Sequence, residues 1–554
     1  MCNEGLVINF FVKIKREQNM PRIKNGYIIN KIVTNQTEII LSDIFLSALS
    51  GFIEYSSTKK QNTEIIAKLK TPKRFQNLLL KFYLTSDVSL SSKDKKHLYN
   101  FVEGFYDYWR SLDRFLVLDS VRPSELVSVS VAGNQIFLSM YRQIAKHLLS
   151  SEYLVYRELP AFVNASLSIE KKTIQLFNKN YSISFVDRLL FRPPFTLKSA
   201  SNKRGKDFTI DNTDIIIPTD EDTICYPIYV GEYIAYCFVK LDDIKMLVGL
   251  SNLFEKVSLD DLVNKAPNVI FVYSCVGYDK KIKIVNSNLV IGYLDNVPNN
   301  DYFGNIKKLL LTLHNILCIK RGLLPCHGAG FEIILKDGSS KNVLIIGDSG
   351  TGKSETINAM LSHIDKIINV NIIFDDMGVL IDHKGVRMHG TEIGAFIRLD
   401  DLDRGYAFLE LDRAIICNPE KSNSRMIIPV SHYEYISAEH KLDYILYANN
   451  YELKDGIREI KTLEEVYNVF SRGRRFAIGT TIESGLSDTF FANPFGPVQL
   501  QKETKVLIDE YFKKIFQNGT FVGEIYTKLG IPNMERLGPS ISALSLIDLL
   551  SNNK

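Results

Sequence analysis

Little in this sequence could cross-link the chain, span a bilayer or attract a partner by bulk charge. Its seven cysteines (Cys2, Cys225, Cys237, Cys275, Cys318, Cys326 and Cys417) are odd in number, scattered, and form no C-x-x-C pair. That fits free thiols in a reducing cytoplasm better than a zinc or disulfide framework. No apolar run approaches the ~20 residues that cross a bilayer, so no membrane partner is expected. The apolar stretch Leu6 to Val12 is followed, not preceded, by Lys13, Lys15 and Arg16, and no small-residue cleavage site comes after it. This argues against a secretory leader, and a cytoplasmic location is expected. A net charge of +4 over 554 residues is too small for the basic footprint of a nucleic-acid binder. Tryptophan occurs once, and neither an internal repeat nor a low-complexity tract is present. Phenylalanine (32) and tyrosine (27) are abundant instead. With many Ile and Leu they can fill the cores of about two to four domains, or of one large two-lobed enzyme.

What the sequence does have is Lys341-Asn342-Val343-Leu344-Ile345-Ile346 running into Gly347-Asp348-Ser349-Gly350-Thr351-Gly352-Lys353-Ser354. An apolar strand, a glycine-rich turn and a helix from Glu355 to Ile364 are predicted in succession. The pattern G-x-x-x-x-G-K-[ST] is met in full, in the context a phosphate-binding loop requires. Gly350 and Gly352 can take positive φ and bring backbone N–H groups against a polyphosphate at the positive end of the helix. Gly347, Ser349 and Thr351 complete the cradle. Lys353 would reach the β- and γ-phosphates and be solvated without ligand; Ser354 would hold a divalent cation. ATP is the expected ligand.

The rest of the chain supplies a frame. A helix is predicted over Lys95 to Leu112, with Phe101, Phe105, Tyr108 and Trp109 as a core-facing stripe. Strands are predicted at Phe115–Leu118, Glu125–Val131, Tyr181–Val186, Thr213–Ile217 and Tyr226–Val239. Ser199 to Asp207 reads as a surface loop. A helix over Ile306 to Arg321 presents Leu309, Leu310, Leu313 and Ile316 on one face, and Gly322 closes it. Asn371 to Phe374 reads as an apolar strand ending in Asp375-Asp376. Carboxylates there would form the second half of a nucleotide–metal site, since hard divalent cations prefer oxygen ligands. Gly378–Ile381 and Val386–His389 read as a β-hairpin.

Gly304-Asn305-Ile306-Lys307-Lys308, then Pro325-Cys326-His327-Gly328, the glycine-rich loop and Asp375-Asp376 stand in this order. Together they resemble the ATP-dependent phosphoenolpyruvate carboxykinases. Gly390-Thr391-Glu392-Ile393-Gly394-Ala395-Phe396-Ile397-Arg398 resembles that family's Glu-x-Gly-Cys-Tyr-Ala-Lys segment, with Arg398 in the lysine's place. Ser424-Arg425-Met426 is similar to the strand bearing a transition-state arginine. Leu442 to Asn450, Ala477-Ile478-Gly479-Thr480-Thr481 and Leu190-Phe191-Arg192-Pro193 extend the resemblance over roughly residues 150–535. Three features depart from it. The family's Arg-Ser-Pro-x-Asp-Lys segment has only Arg122-Pro123-Ser124 as a counterpart. The stretch between Arg425 and Thr480 is compressed, and Thr481-Ile482-Glu483 stands where an arginine is expected. The wording Gly347-Asp348-Ser349-Gly350 with His327-Gly328 upstream is also similar to the HPr serine kinase/phosphorylases.

The resemblance implies an α/β, two-lobed carboxykinase-like fold. Residues 1–115 would have no named role, 116–322 would form a substrate-side lobe, and 323–554 a nucleotide-binding domain with the phosphate loop. It implies conversion of oxaloacetate and ATP to phosphoenolpyruvate, ADP and CO₂, with Mn²⁺ and Mg²⁺. One metal would lie on Lys308, His327 and one of Asp375 and Asp376, and a second on Ser354 and the phosphates. Lys307 and Lys308 would serve the enolate, with Lys307 helping to keep Lys308 neutral. Arg425 would neutralise the moving phosphoryl group beside Asp375, and Arg122 or Arg192 would hold the substrate carboxylate. A kinase with a serine-bearing or small-molecule acceptor, and a nucleotide-binding regulator without catalysis, stay open as alternatives.

Overall fold

The computed structural model describes residues 40–41, 43–58, 62–84, 91–111, 155–156, 165–191, 195–201, 208–298, 300–361, 363, 365–398, 414–418, 424–477 and 485–552. Phe115–Leu118, Glu125–Val131, Arg122, Arg192, the loop residues 202–207 and the Gly479-Thr480 segment lie outside them. The chain is mixed α/β and divides into two units, Met1–Glu158 and Leu159–Lys554. Among the described residues no helix is long and apolar enough to cross a membrane.

The first unit holds helices α1 (Asp43–Thr58), α2 (Thr63–Leu69), α3 (Pro72–Leu84) and α4 (Ser92–Ser111). The aromatic stripe of α4 is core: Phe101 stacks on Phe75 at 4.1 Å between ring centres, and Phe105 meets Phe45 edge-on at 5.3 Å. Each such buried ring contributes about 1.5–3 kcal/mol. The side chain of Trp109 lies outside the described set.

In the second unit, β1 (Ala165–Leu176), β2 (Lys179–Phe191), β3 (Thr223–Val230), β4 (Tyr233–Lys240), β5 (Val269–Tyr273), β6 (Lys281–Asn286) and β7 (Leu289–Leu294) build one sheet. Its order is β1-β2-β3-β4-β5-β7-β6, with Thr209–Ile210 at the β6 edge. The expected single strand Tyr226–Val239 is a hairpin, β3–β4. Gly231 at φ 57° supplies the left-handed turn, with Glu232 beside it as the one charged residue of an otherwise apolar run. Thr213–Ile217 is not a strand. Its backbone groups are taken by side chains instead, Thr213 O by Lys283 and Ile216 N–H by the Tyr293 hydroxyl.

Helix α5 (Ile244–Leu253) and helix α6 (Phe303–Lys320) follow. In α6 every residue but Lys308 and Lys320 is buried. The expected one-faced helix is therefore a central one, buried on nearly every side, with Asn305, Lys307, Thr312, His314 and Asn315 enclosed among its apolar residues.

The second sheet carries the candidate site. Its strands are β8 (Leu324–Leu335), β9 (Ser340–Ile346), β10 (Ile367–Asp382), β11 (Val386–Gly390), β12 (Tyr444–Asn449), β13 (Ile457–Glu459) and, after the hairpin β14 (Arg474–Ala477) and β15 (Gly485–Asp488), β16 (Phe521–Tyr526). The order is β11-β10-β8-β9-β12-β16-β13, with His440–Lys441 outside β11. The strands β9, β12 and β16 are parallel, and the rest of the sheet is antiparallel. Helices α7 (Lys353–Met360) and α9 (Leu537–Asn552) pack Ile357, Met360, Ala543, Leu546 and Leu550 onto Val343, Ile345, Leu446 and Ile525; α8 (Gln501–Gln517) lies between them in sequence. One expectation is overturned here. β10 does not end at Phe374 but continues through Asp375-Asp376 to Asp382, because β8 pairs with it across the aspartates and β11 beyond them. A four-stranded sheet of Gly394–Arg398, Arg425–Pro429, Ile415–Cys417 and Phe195–Leu197 completes the unit's main architecture.

Candidate functional site

Buried Val343–Ile346 of β9 deliver the chain into the glycine-rich turn, and α7 leaves it at Lys353. Gly350 (φ 77°) and Gly352 (φ 92°) are both left-handed. A side chain on Gly352 would also meet Thr527 at 2.7 Å, so glycine is required there twice over. The loop's carbonyls are engaged in turn. Asp348 O accepts from the Thr351 hydroxyl (2.7 Å) and the Lys353 ammonium (3.1 Å). Ser349 O accepts from Arg475 (3.1 Å), Gly350 O from Asn450 (2.9 Å) and Thr351 O from the Thr527 hydroxyl (2.6 Å). The first turn of α7 beyond them presents N–H groups with no intrahelical partner. Lys353, expected to be solvated, is buried on a carbonyl of its own loop; a buried ammonium needs such an acceptor.

Ser354 donates its hydroxyl hydrogen to the Asp375 carboxylate, 2.9 and 3.0 Å from its two oxygens. In the β8–β10 register Ala329 faces Asp375 and Gly328 faces Asp376, which brings His327 alongside. His327 Nδ1 donates to Ala492 O at 2.8 Å, and Nε2 stands 3.2 Å from Asp376 Oδ1. The other Asp376 oxygen accepts from Lys307 at 2.5 Å, and Lys307 also pairs with Glu392 at 2.9 Å. Burial acts against the charge on Lys307, but Asp376 and Glu392 outweigh it and hold its pKa above the ordinary value. Burial likewise opposes ionisation of Asp376, and Lys307 and His327 overcome it, leaving Asp376 well below the usual carboxylate range. Glu392 goes the other way: burial pushes it up to about 7 despite the pull of Lys307. Lys307 is the cation paired with it, 2.9 Å from Oε1.

Arg475 Nε pairs with Asp348 Oδ2 at 2.9 Å, and Asp348 Oδ1 lies 3.7 Å from His327 Nδ1. The result is one chain of ionisable side chains, Arg475–Asp348–His327–Asp376–Lys307–Glu392, running from the loop into α6. Two cations lie near the Phe396 ring, Lys307 at 5.6 Å and Arg425 at 5.7 Å from its centre. Arg425 is paired across strands with Arg398. Lys308 projects over the Phe495 ring at 5.6 Å.

The sequence-predicted residues thus fall into two groups. Gly347, Ser349, Gly350, Thr351, Gly352, Lys353, Ser354 and Asp375 form the loop side. His327, Asp376 and Lys307 meet on the other side, with Arg425 and Lys308 around them. Sequence reasoning assigned no role to Glu392, Asp348, Arg475, Asn450 or Thr527. Asp348 occupies a variable position of the loop pattern, and Arg475 sits in Arg472-Gly473-Arg474-Arg475, a run with no motif wording.

For a metal, Ser354 with Asp375 offers a hydroxyl and a carboxylate beside the loop. That suits a cation that takes its remaining ligands from phosphates and water. His327 Nε2 with Asp376 Oδ1 offers a nitrogen and an oxygen, a donor pair that fits Mn²⁺. Among the described residues no group of three or more His, Cys, Asp or Glu is arranged to hold a metal ion. Lys307 carries its proton and so has no lone pair to offer. In comparison with known proteins, no family model matches the chain and no curated protein matches it.

Proposed function

We propose that this chain is an ATP-dependent phosphotransferase of the phosphoenolpyruvate carboxykinase type, with the phosphate-binding loop at Gly347–Ser354. The observation that carries the reading is the joining of that loop, through Ser354 on Asp375, to Asp376, the next residue of the same strand, and its ion pair with the buried Lys307. Lys353 would exchange its carbonyl for the β/γ-phosphates. In the forward direction the C–C bond of oxaloacetate breaks, CO₂ leaves, and the electron pair passes to the enolate oxygen. That oxygen attacks the γ-phosphorus, and the bond to ADP breaks. Lys307, held protonated by two carboxylates, supports the oxyanion electrostatically from a site largely shielded from water. Arg425, beside Phe396, supplies a second cation for the acceptor or the moving phosphoryl group. Bound at Ser354/Asp375 and at His327/Asp376, Mg²⁺ and Mn²⁺ would supply Lewis-acid stabilisation of the same charges.

A second reading, a kinase acting on a hydroxyl, is favoured by Glu392. A carboxyl titrating near 7 matches what a general base needs at neutral pH. One experiment separates them. Pure protein with ATP, Mn²⁺ and oxaloacetate should form phosphoenolpyruvate, and Lys307→Met should abolish it. If the wild type makes none but transfers phosphate to a serine-bearing acceptor, the hydroxyl kinase replaces the carboxykinase. Absence of ATP binding would remove both.

A further inference from the structure

Arg475 is among the largest fully buried side chains of the described structure, 2% exposed. It comes from β14, a strand outside the loop's own sheet, yet it engages two consecutive residues of the loop, Asp348 as an ion pair and Ser349 through a hydrogen bond. Its Nε faces Asp348 Oδ2 at 2.9 Å, and its Nη1 donates to Ser349 O at 3.1 Å. Asp348 Oδ1 in turn accepts the Ser349 N–H at 2.6 Å. Guanidinium, carboxylate and peptide therefore close a ring around the first bend of the loop. A buried guanidinium is tolerated only when its charge is matched, and Asp348 matches it. With Asn450 on Gly350 O and Thr527 on Thr351 O, three successive loop carbonyls are each held by a side chain from another part of the chain. Nothing in the mechanism above uses Arg475.

We propose that Arg475 is a positioning residue for the nucleotide's terminal phosphates. Acting through Asp348 and Ser349, it fixes the loop in the conformation that receives them before ATP arrives. The inference rests on the phosphate-loop reading and adds to it the residue that sets the loop's shape. Preorganisation of this kind lowers the ordering cost of binding. It should act on the β- and γ-phosphates, which the loop would cradle, and little on the nucleoside. Lysine cannot replace arginine here, because one ammonium cannot span two acceptors in the geometry of the planar fork.

The test measures calorimetric affinities for ATP·Mg²⁺ and for AMP, with melting temperatures, in the full-length wild type, Arg475→Lys, Asp348→Asn and the double variant. Arg475→Lys should weaken ATP·Mg²⁺ binding by roughly tenfold to a hundredfold, the scale seen when a supporting partner is removed from a site. AMP affinity should change far less, so the preference for ATP over AMP falls. The double variant should be no weaker than the worse single variant, since both break the same ring. Arg475→Lys with wild-type ATP affinity, or equal losses for ATP and AMP, overturns the proposal. So does failure of both single variants to fold, which would make the pair purely structural. A wild type that binds neither nucleotide overturns the phosphate-loop reading itself, a result distinct from all of these.

Discussion

Lys353 illustrates how a single residue can serve two states. In this structure its ammonium is buried on Asp348 O, so the loop carries an internal stand-in for a phosphate oxygen. Lys353→Met keeps most of the stem and deletes the charge. Loss of a charged hydrogen bond of about 1.5–3 kcal/mol should weaken ATP binding by about tenfold to a hundredfold, read by calorimetry. Unchanged affinity would detach Lys353 from the nucleotide. Glu392 gives a prediction in pH. Its folded value of about 7 lies above its ordinary 4.5, so the folded protein binds more protons than the unfolded chain between those values. Stability must then fall as pH rises through that window, by on the order of 3 kcal/mol from this one group. Asp376 has the opposite sign: its depressed pKa stabilises the fold above pH about 3.8 and is lost as pH falls below it. Glu392→Gln should gain on the wild type in urea denaturation as pH rises from 5 to 8. A constant difference across that range would contradict the buried, proton-holding carboxyl.

At the scale of elements, the aspartates are placed by a slot for one ring. Phe374 precedes Asp375 on β10, and side chains built on Gly330 or Gly378 would stand 2.4 and 2.2 Å from that ring. Gly378→Val should therefore cost about 1–3 kcal/mol by overpacking, measured by urea denaturation, and should move Asp375-Asp376 out of register with Gly328 and Ala329. An unperturbed midpoint would show that the ring has room to spare. The same elements mark what a linear reading can see. The loop and its helix were legible because glycine, lysine and serine fall within eight consecutive positions, and their geometry is local. The end of β10 was not, because pairing with β8 carries the strand past two charged residues that local preference would place in a turn. The β3–β4 hairpin was hidden because its turn takes only Gly231 and Glu232, a two-residue break in an otherwise apolar run. The chain of ionisable side chains was only half legible. Lys307, His327 and Asp376 stood out through a family likeness, and Glu392 lay within one of its segments without a role, whereas Arg475 joins the chain by tertiary packing that no local pattern records.

For the whole molecule, every described residue of the candidate site belongs to the Leu159–Lys554 unit. Ligand linkage should therefore be confined to that unit. A ligand bound only by the native state stabilises it by about 2.7 kcal/mol at a hundred times its dissociation constant. ATP with Mg²⁺ at that excess should raise the unfolding free energy of this unit by that amount. Hydrogen exchange should locate the effect, slowing at Gly347–Ser354, at Asp375-Asp376 and around His327, where backbone and side chains would meet phosphate and cation. The helices α1 to α4, whose core is their own set of phenylalanines, should exchange at unchanged rates. Adding Mn²⁺ to the ATP·Mg²⁺ complex should extend protection toward Lys307 and Asp376, because the second donor pair lies there and not on the loop. Protection spread evenly over both units, or limited to the helical one, would place the nucleotide somewhere other than the strand–loop–helix from which this reading begins.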